Sequence, residues 1–344
     1  MEALLVGNGL NQRAHTLPGW DALFREAIQI DGFTLQRCLT PTLEFELNAR
    51  NATKLEPTKT ENQILRDIAS YITKKAASSP PGWENRIHKA LLECAPKTIL
   101  TTNYDYYLEQ TIKDDYRPGP VETNERRYSF RRTRTVGDHT IYHIHGEASA
   151  PFSICLGFER YIGSIQYMRT ALTKPSGHRF HLYHVLTGEE SKQGNCWYYS
   201  FFTDDLYILG LGLDAAEQDL WWLLNYRAEL MERYPGLIKN KIVYLETDAE
   251  NDEEPSEAAI AQIAQKLQDA TDKPWSVLYG LGDALFRAGT KKRTVRQKRA
   301  LLEAFQVTVH DCTVPNDVPD DWDKVYEKRY RRALDFLTAH KNMS

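Results

Sequence analysis

Four short segments hold the residues whose types and spacing could do chemistry: Gly7-Asn8-Gly9 with Asn11, Thr102-Asn103-Tyr104-Asp105, His143-Ile144-His145-Gly146, and Gly210-Leu211-Gly212-Leu213-Asp214. Glycine has no Cβ, so a backbone carrying it can approach a phosphate and aim amides at the anion. Gly7-Asn8-Gly9 also reads as a plain tight turn, and the full dinucleotide fingerprint is missing because position 12 is Gln12. The Asn103 amide could orient a ribose or a water while the Asp105 carboxylate fixes its neighbours. The same pair reads equally as an Asx turn capping a following helix, and both can hold together. A histidine at a strand end can act as a general base near neutral pH. His143 and His145 are two residues apart and so share a face of an alternating strand, which leaves the choice between them open. Gly146 turns it towards His145, since a turn exposes the residue just before it. The Gly210 to Asp214 turn could hold a second phosphate or an adenosine, or could simply be a tight connection.

The elements that must place these segments are legible in the hydrophobic pattern. Ala3 to Val6, Lys97 to Thr101, Thr140 to His145, Leu206 to Leu209 and Lys241 to Leu245 read as strands, and each of the first four runs into one of the polar segments. Helical spacing fills Trp20 to about Ala95, where Leu23, Ala27 and Ile30 share a stripe and Ile64, Ile68 and Ile72 recur every four residues. It returns up to Ile112, over Ala215 to Arg233 and over Ala258 to Leu267. Strand, turn and helix recurring in this order predict an α/β fold: a Rossmann-like, mostly parallel sheet with helices on both faces and helical insertions. Ligands of such a sheet bind beyond the carboxyl ends of its strands. Residues 1–250 read as the nucleotide-binding catalytic domain, with helical inserts at about 15–95 and 158–204. Residues 251–344 read as an extension that completes the fold or forms an assembly surface.

Composition narrows the class. Hydrophobic residues make up 42% and charged residues 26%, an ordinary globular balance, and a formal net charge of -4 gives no overall attraction to nucleic acid. The basic run Lys291, Lys292, Arg293, Arg296, Lys298 and Arg299 reads as a solvated helix face, with a phosphate or partner surface as the alternative. Five dispersed cysteines without a C-x-x-C pair, and no leader-like or membrane-length apolar stretch, fit a reducing cytoplasm. No four-ligand cysteine or histidine spacing is present, so no metal is expected; His178, His181 and His184 come nearest and read as a polar helix face. Trp221, Trp222, Tyr226 and Arg227, and Tyr326, Arg329, Tyr330 and Arg331, have the composition of interface anchors, with core packing as the competing reading.

In order and spacing the four segments resemble the sirtuin-like family, and its zinc-free bacterial antiphage branch more than the deacetylases. The similarity runs over roughly residues 1 to 250. The resemblance implies that Gly7, Asn8, Gly9 and Asn11 meet a pyrophosphate and that Thr102, Asn103 and Asp105 line the nicotinamide-ribose pocket. It implies further that His145 is the catalytic histidine and that Gly210, Gly212 and Asp214 contact the adenosine ribose. The four-cysteine zinc module of the deacetylases has no counterpart, its place being taken by the helices after Phe158. Thr102 stands where they carry glutamine, and Asn11 where they carry serine. The expectation is an NAD glycohydrolase, with NAD as substrate and no metal. It would act as a defence effector switched on by homo-oligomerisation or by a co-encoded translocase-like ATPase or nucleotide-processing enzyme. An NAD-dependent protein deacylase and a non-catalytic NAD or ADP-ribose sensor are the alternatives.

Overall fold

A computed structural model describes residues 1–14, 23, 28–31, 33–36, 38, 40–77, 86–119, 125–247, 296–313 and 322–341. The helix expected over Ala258 to Leu267, the acidic stretch after Thr247, Ala27 and the basic residues Lys291, Lys292 and Arg293 lie outside them. One compact unit is formed by Met1–Thr247 with Phe305–Ser344; Asp248–Ala304 form a second, of which 296–304 are described, as helix.

The first unit is built on a seven-stranded sheet among the described residues. In chain order it opens with β1 (Ala3–Val6), α1 (Gly9–Ala14), α2 (Pro41–Leu55), α3 (Glu61–Ala77) and α4 (Arg86–Cys94). Then come β2 (Thr98–Thr101), α5 (Tyr107–Ile112), β3 (Thr133–Val136), β4 (His139–His143) and α6 (Phe158–Thr173). A two-stranded hairpin of β5 (Pro175–Ser176) and β6 (Arg179–Phe180) precedes α7 (His181–Thr187) and α8 (Ser200–Thr203). The chain closes the unit with β7 (Leu206–Leu209), α9 (Gln218–Arg233), β8 (Ile242–Glu246), β9 (Thr308–Asp311) and α10 (Trp322–Lys341).

The sheet order is β3-β4-β2-β1-β7-β8-β9, parallel throughout except for the edge pair β3 and β4. This is the Rossmann-like α/β arrangement expected from the strand and helix pattern. From β1 the chain order runs outward to β2 and β4 on one side and to β7, β8 and β9 on the other, which makes the carboxyl ends of β1 and β7 the point where the strand order reverses, the usual ligand position of such sheets. The strands read as continuous apolar runs because both faces are covered. Leu4, Val6, Ile99, Ile141, Leu209 and Leu245 pack with Leu91 of α4 and Tyr330 and Leu337 of α10, while the alternate residues Leu5, Leu100 and Ile208 are fully buried on the opposite face. Phe45, Ala49, Ile64, Ile68 and Ile72 of α2 and α3 form a separate core with Ile154 and Leu156.

One sequence expectation gives way here. The fourth strand stops at His143 instead of running to His145. Of the two readings of the aromatic and arginine groups, core packing holds for half of them: Arg227 is buried with Nη2 donating to the Asn240 carbonyl at 2.5 Å, and Tyr326, Arg329 and Tyr330 are buried, while Trp221 is half-buried. Arg329 donates to the Thr247 carbonyl at 3.1 Å. Trp222 and Tyr226 stack on each other, half-buried, and Arg331 is exposed and paired with Glu327.

Candidate active site

Strand register brings the polar segments level. Val6 lies opposite Thr101 and Leu209, and Thr101 opposite His143, so the residues after each strand end crowd one edge of the sheet.

The two glycine turns meet each other instead of framing an open cradle. The Gly7 amide donates to the Leu209 carbonyl at 3.0 Å and the Gly9 amide to the Gly210 carbonyl at 2.7 Å. A Cβ on Gly7 would stand 2.5 Å from the Gly210 oxygen, and Gly210 itself sits at φ +67. These glycines are required because two backbones touch, and the Gly7 and Gly9 amides are engaged in that contact. Asn8 is half-buried beside them and Gly212 is exposed. Asp214 is exposed, and its carboxylate accepts the Ala216 amide at 2.7 Å in an Asx turn leading into α9.

Asn11 is buried and works as a clamp: Nδ2 donates to Asp105 at 2.8 Å and Oδ1 lies 2.7 Å from His88 Nε2. The other Asp105 oxygen accepts the Tyr107 amide at 3.0 Å, so Asp105 caps α5 and ties the β1 turn to the β2 turn. Burial pushes its carboxyl up to about 6, against the pull of the Tyr107 bond.

Thr102 is buried, its amide donating to the Val6 carbonyl at 3.3 Å. The next residue, Asn103, is buried too. Its amide donates to Thr101 Oγ1 at 3.1 Å and its carbonyl accepts His143 Nδ1 at 2.7 Å, but its side-chain Oδ1 has no hydrogen-bond partner. An unmet buried acceptor costs on the order of 1–3 kcal/mol, so Oδ1 is suited to a ligand that brings a donor.

The two histidines occupy different worlds. Past His143 the backbone turns: Gly146 adopts φ +95, a Cβ there would stand 2.2 Å from the Ser153 oxygen, and the His145 carbonyl accepts the Cys155 amide at 2.7 Å. The strand alternation is lost, so the two rings do not share a face as i and i+2 spacing suggested. His143 Nε2 meets Glu109 of α5 at 2.8 Å. Burial pulls its pKa down, but Glu109 outweighs that and holds it at about 9. Glu147, two residues beyond His145, is fully buried against Arg134, whose Nε and Nη2 bind it at 2.8 and 2.9 Å, with Tyr106 donating at 2.9 Å. This anchors the His-Gly turn.

His145 faces α9. Nε2 lies 3.2 Å from an Asp219 oxygen, and Nδ1 lies 3.5 Å from both Glu217 Oε2 and the Tyr161 hydroxyl. Burial again works to lower the pKa, and the two carboxylates more than offset it, holding the ring at about 9. The two carboxylates thus favour the protonated ring. Glu217 is pushed up to about 7, by burial first and by Asp219 and Asp214 in addition, with His145 opposing. The ligand atoms of His145, Glu217 and Asp219 all lie within 4.8 Å of one another, the spacing of a metal site. The three also form ion pairs among themselves, His145 lying 3.5 Å from Glu217 and 3.2 Å from Asp219. His181 and His184, from the histidine group noted in the sequence, bind Glu190 and Glu189 at 2.6 and 2.7 Å; His178 precedes their helix.

Sequence reasoning missed His88, Glu109, Glu217, Asp219 and Tyr161. Glu217 and Asp219 follow the end of β7, and the strand-end rule applied to acids as well as glycines points to them.

Against this geometry the comparisons fall into place. A family model, the SIR2-like domain, matches residues 97–187, which take in Asn103, Asp105, His143 and His145. Comparison with the curated proteins finds no match. The match over residues 97–187 is consistent with a sirtuin-like family and supports an NAD-related function. No helix among the described residues is long and apolar enough to cross a membrane.

Proposed function

We propose that this protein is an NAD glycohydrolase that breaks the nicotinamide-ribose bond of NAD. The observation that carries the reading is an unmet, buried Asn103 Oδ1 at the carboxyl edge of a Rossmann-like sheet, an edge that also carries the His145, Glu217 and Asp219 triad. As the bond breaks, the electron pair leaves with nicotinamide and positive charge develops on the ribose. Asn103 Oδ1 accepts a hydrogen bond from a ribose hydroxyl or the attacking water and orients it, while the Glu217 and Asp219 carboxylates favour the developing cation. Asp105, clamped between Asn11 and the Tyr107 amide, holds the Asn103 loop in place.

The absence of cysteine pairs and the helices after Phe158 support the glycohydrolase over the deacylase. By the resemblance, the enzyme serves as an antiphage effector that depletes NAD, gated by self-assembly or by a co-encoded partner. Incubating purified protein with NAD, with and without an acyl-lysine peptide, tests the reading. Nicotinamide and ADP-ribose in equal amounts without peptide are expected. Release only after assembly or added partner protein would be the gated glycohydrolase proposed here; release only with peptide would replace it with a deacylase, and NAD bound but never cleaved, with or without partner, would leave a sensor.

A further inference from the structure

We propose that His88 of α4 is a positioning residue for the site: it fixes the direction of the Asn11 amide and so holds Asp105 and the Asn103 loop in the geometry that cleavage needs. The inference rests on the glycohydrolase reading above and deepens it. His88 is fully buried on the stripe of α4 that also carries Leu91 and Cys94, an apolar face where an imidazole is costly unless it is hydrogen-bonded.

The direction of the chain follows from what each atom can do. Asp105 caps α5 with one oxygen, which accepts the Tyr107 amide at 3.0 Å, and as a carboxylate it can only accept at the other. The Asn11 atom 2.8 Å from that second oxygen is therefore Nδ2, which turns Oδ1 towards His88. Oδ1 cannot donate, so the Nε2 atom 2.7 Å away must carry a hydrogen. Turned over, the amide would set its oxygen against the carboxylate. A donor at Nε2 is what selects between the two directions, and a hydrocarbon side chain could fill the space of the ring without that role.

What the chain holds is the turn after β2. Asn103 is fixed from the β4 side, where its carbonyl accepts His143, and from its own strand, where its amide meets Thr101 Oγ1. From the β1 side the backbone tie is long, Thr102 amide to Val6 carbonyl at 3.3 Å, and the side-chain tie through Asn11 to Asp105 is short, at 2.8 Å. Asn11 is 94 residues from Asp105 and 77 from His88, so three separate stretches of chain meet at one amide. Asn103 Oδ1 has to stand within hydrogen-bond distance of a ribose hydroxyl or a water, and a misplacement of about 1 Å can cost about 100-fold in rate. A slackened Asp105 therefore shows in kcat far more than in the binding of NAD.

The test sets four variants of the full chain beside the wild type, in whichever condition, alone or with partner protein, the wild type turns over. His88→Leu and His88→Met remove the donor with different shapes, so that one can stand in if the other does not fold. His88→Gln returns an N–H near the Nε2 position, and Leu91→Ala loosens the same buried face of α4 while leaving the chain of bonds untouched. Nicotinamide release is measured at a temperature where the proteins are folded by circular dichroism, with NAD affinity from calorimetry. The donorless variants should lose about 10- to 100-fold in kcat while binding NAD within about 3-fold of the wild type. His88→Gln should recover most of that loss, and Leu91→Ala should melt lower yet keep the wild-type kcat. Wild-type kcat in a donorless variant, no recovery in His88→Gln, or an equal loss in Leu91→Ala would overturn the assignment and leave the glycohydrolase standing. A wild type that binds NAD and releases no nicotinamide, with or without partner, would instead overturn the reading on which it rests.

Discussion

His143 and His145 are two residues apart, equally buried and both held near pKa 9, yet their surroundings differ in kind. Around His143 the bonds are short and the ring is consumed: 2.7 Å to the Asn103 carbonyl and 2.8 Å to Glu109. Around His145 the contacts run from 3.2 to 3.5 Å. Each ring has a partner carboxylate with one unmet oxygen, Glu109 Oε2 by His143 and Glu217 Oε2 by His145, so the length of the contacts is what separates them. A histidine held by short bonds is scaffold, and a loosely held one is free to meet a ligand. Burial and pKa direction alone would not have separated them.

The largest effect that sharpens this contrast belongs to Asn103, whose carbonyl accepts the His143 ring and whose side-chain Oδ1 is unmet. Asn103→Ala should lower nicotinamide release by about 100-fold or more with the fold intact, read by turnover alongside a thermal melt; an active Asn103→Ala protein would show that the unmet Oδ1 has no part in the cleavage.

Next comes the scaffold histidine, where stability is the readout. His143→Ala leaves the Glu109 charge buried without its cation, a loss of about 3–5 kcal/mol for a buried pair, which denaturant unfolding would measure. His143→Asn returns a donor near the Nδ1 position and should recover the Asn103 loop but not the ion pair. A His143→Ala protein as stable as wild type would mean that the short bonds do not carry weight.

A smaller and more general effect is pH-dependent stability. Asp105, Glu217, His143 and His145 all have folded pKa values above their ordinary ones, about 6, about 7, about 9 and about 9. Each binds its proton more tightly folded than unfolded, so its contribution is present below the ordinary pKa and lost as pH rises through the folded value. The melting temperature should therefore fall as pH rises, first through the carboxyl range and again between about pH 6.5 and 9 as the imidazolium ions are lost. A melting temperature that climbs over that upper window would contradict the charged state of both rings.

The smallest effect lies outside both regions. Gly212 is exposed, with open space where a Cβ would go, so Gly212→Ala should change stability by less than about 0.5 kcal/mol. Gly7→Ala, driven into the Gly210 backbone, should be much worse.

How much of this was legible in the sequence follows from what each signal depends on. Apolar runs set β1, β2 and β7 nearly to the residue because a buried parallel strand must be apolar throughout. Thr133–Val136 and Thr308–Asp311 were not foreseen, since short edge strands with polar residues carry no such pattern. Asn103 and His145 could be chosen because strand ends are where sites lie. What they face could not: Asp219 is 74 residues from His145, and His88 is 77 from Asn11, contacts that only the folded sheet creates. The glycine turns were visible, but the direction of their amides depends on the partner strand. The same limit applies to His145, because a strand end shows where a ring is and says nothing of the carboxylates brought against it.

The most direct measurement is nicotinamide release from NAD by His143→Asn and His145→Asn proteins side by side, at equal folded concentration. The expected result is that the His143→Asn protein keeps most of the wild-type turnover while the His145→Asn protein loses it. A dead His143→Asn protein beside an active His145→Asn protein would contradict the division between scaffold and site.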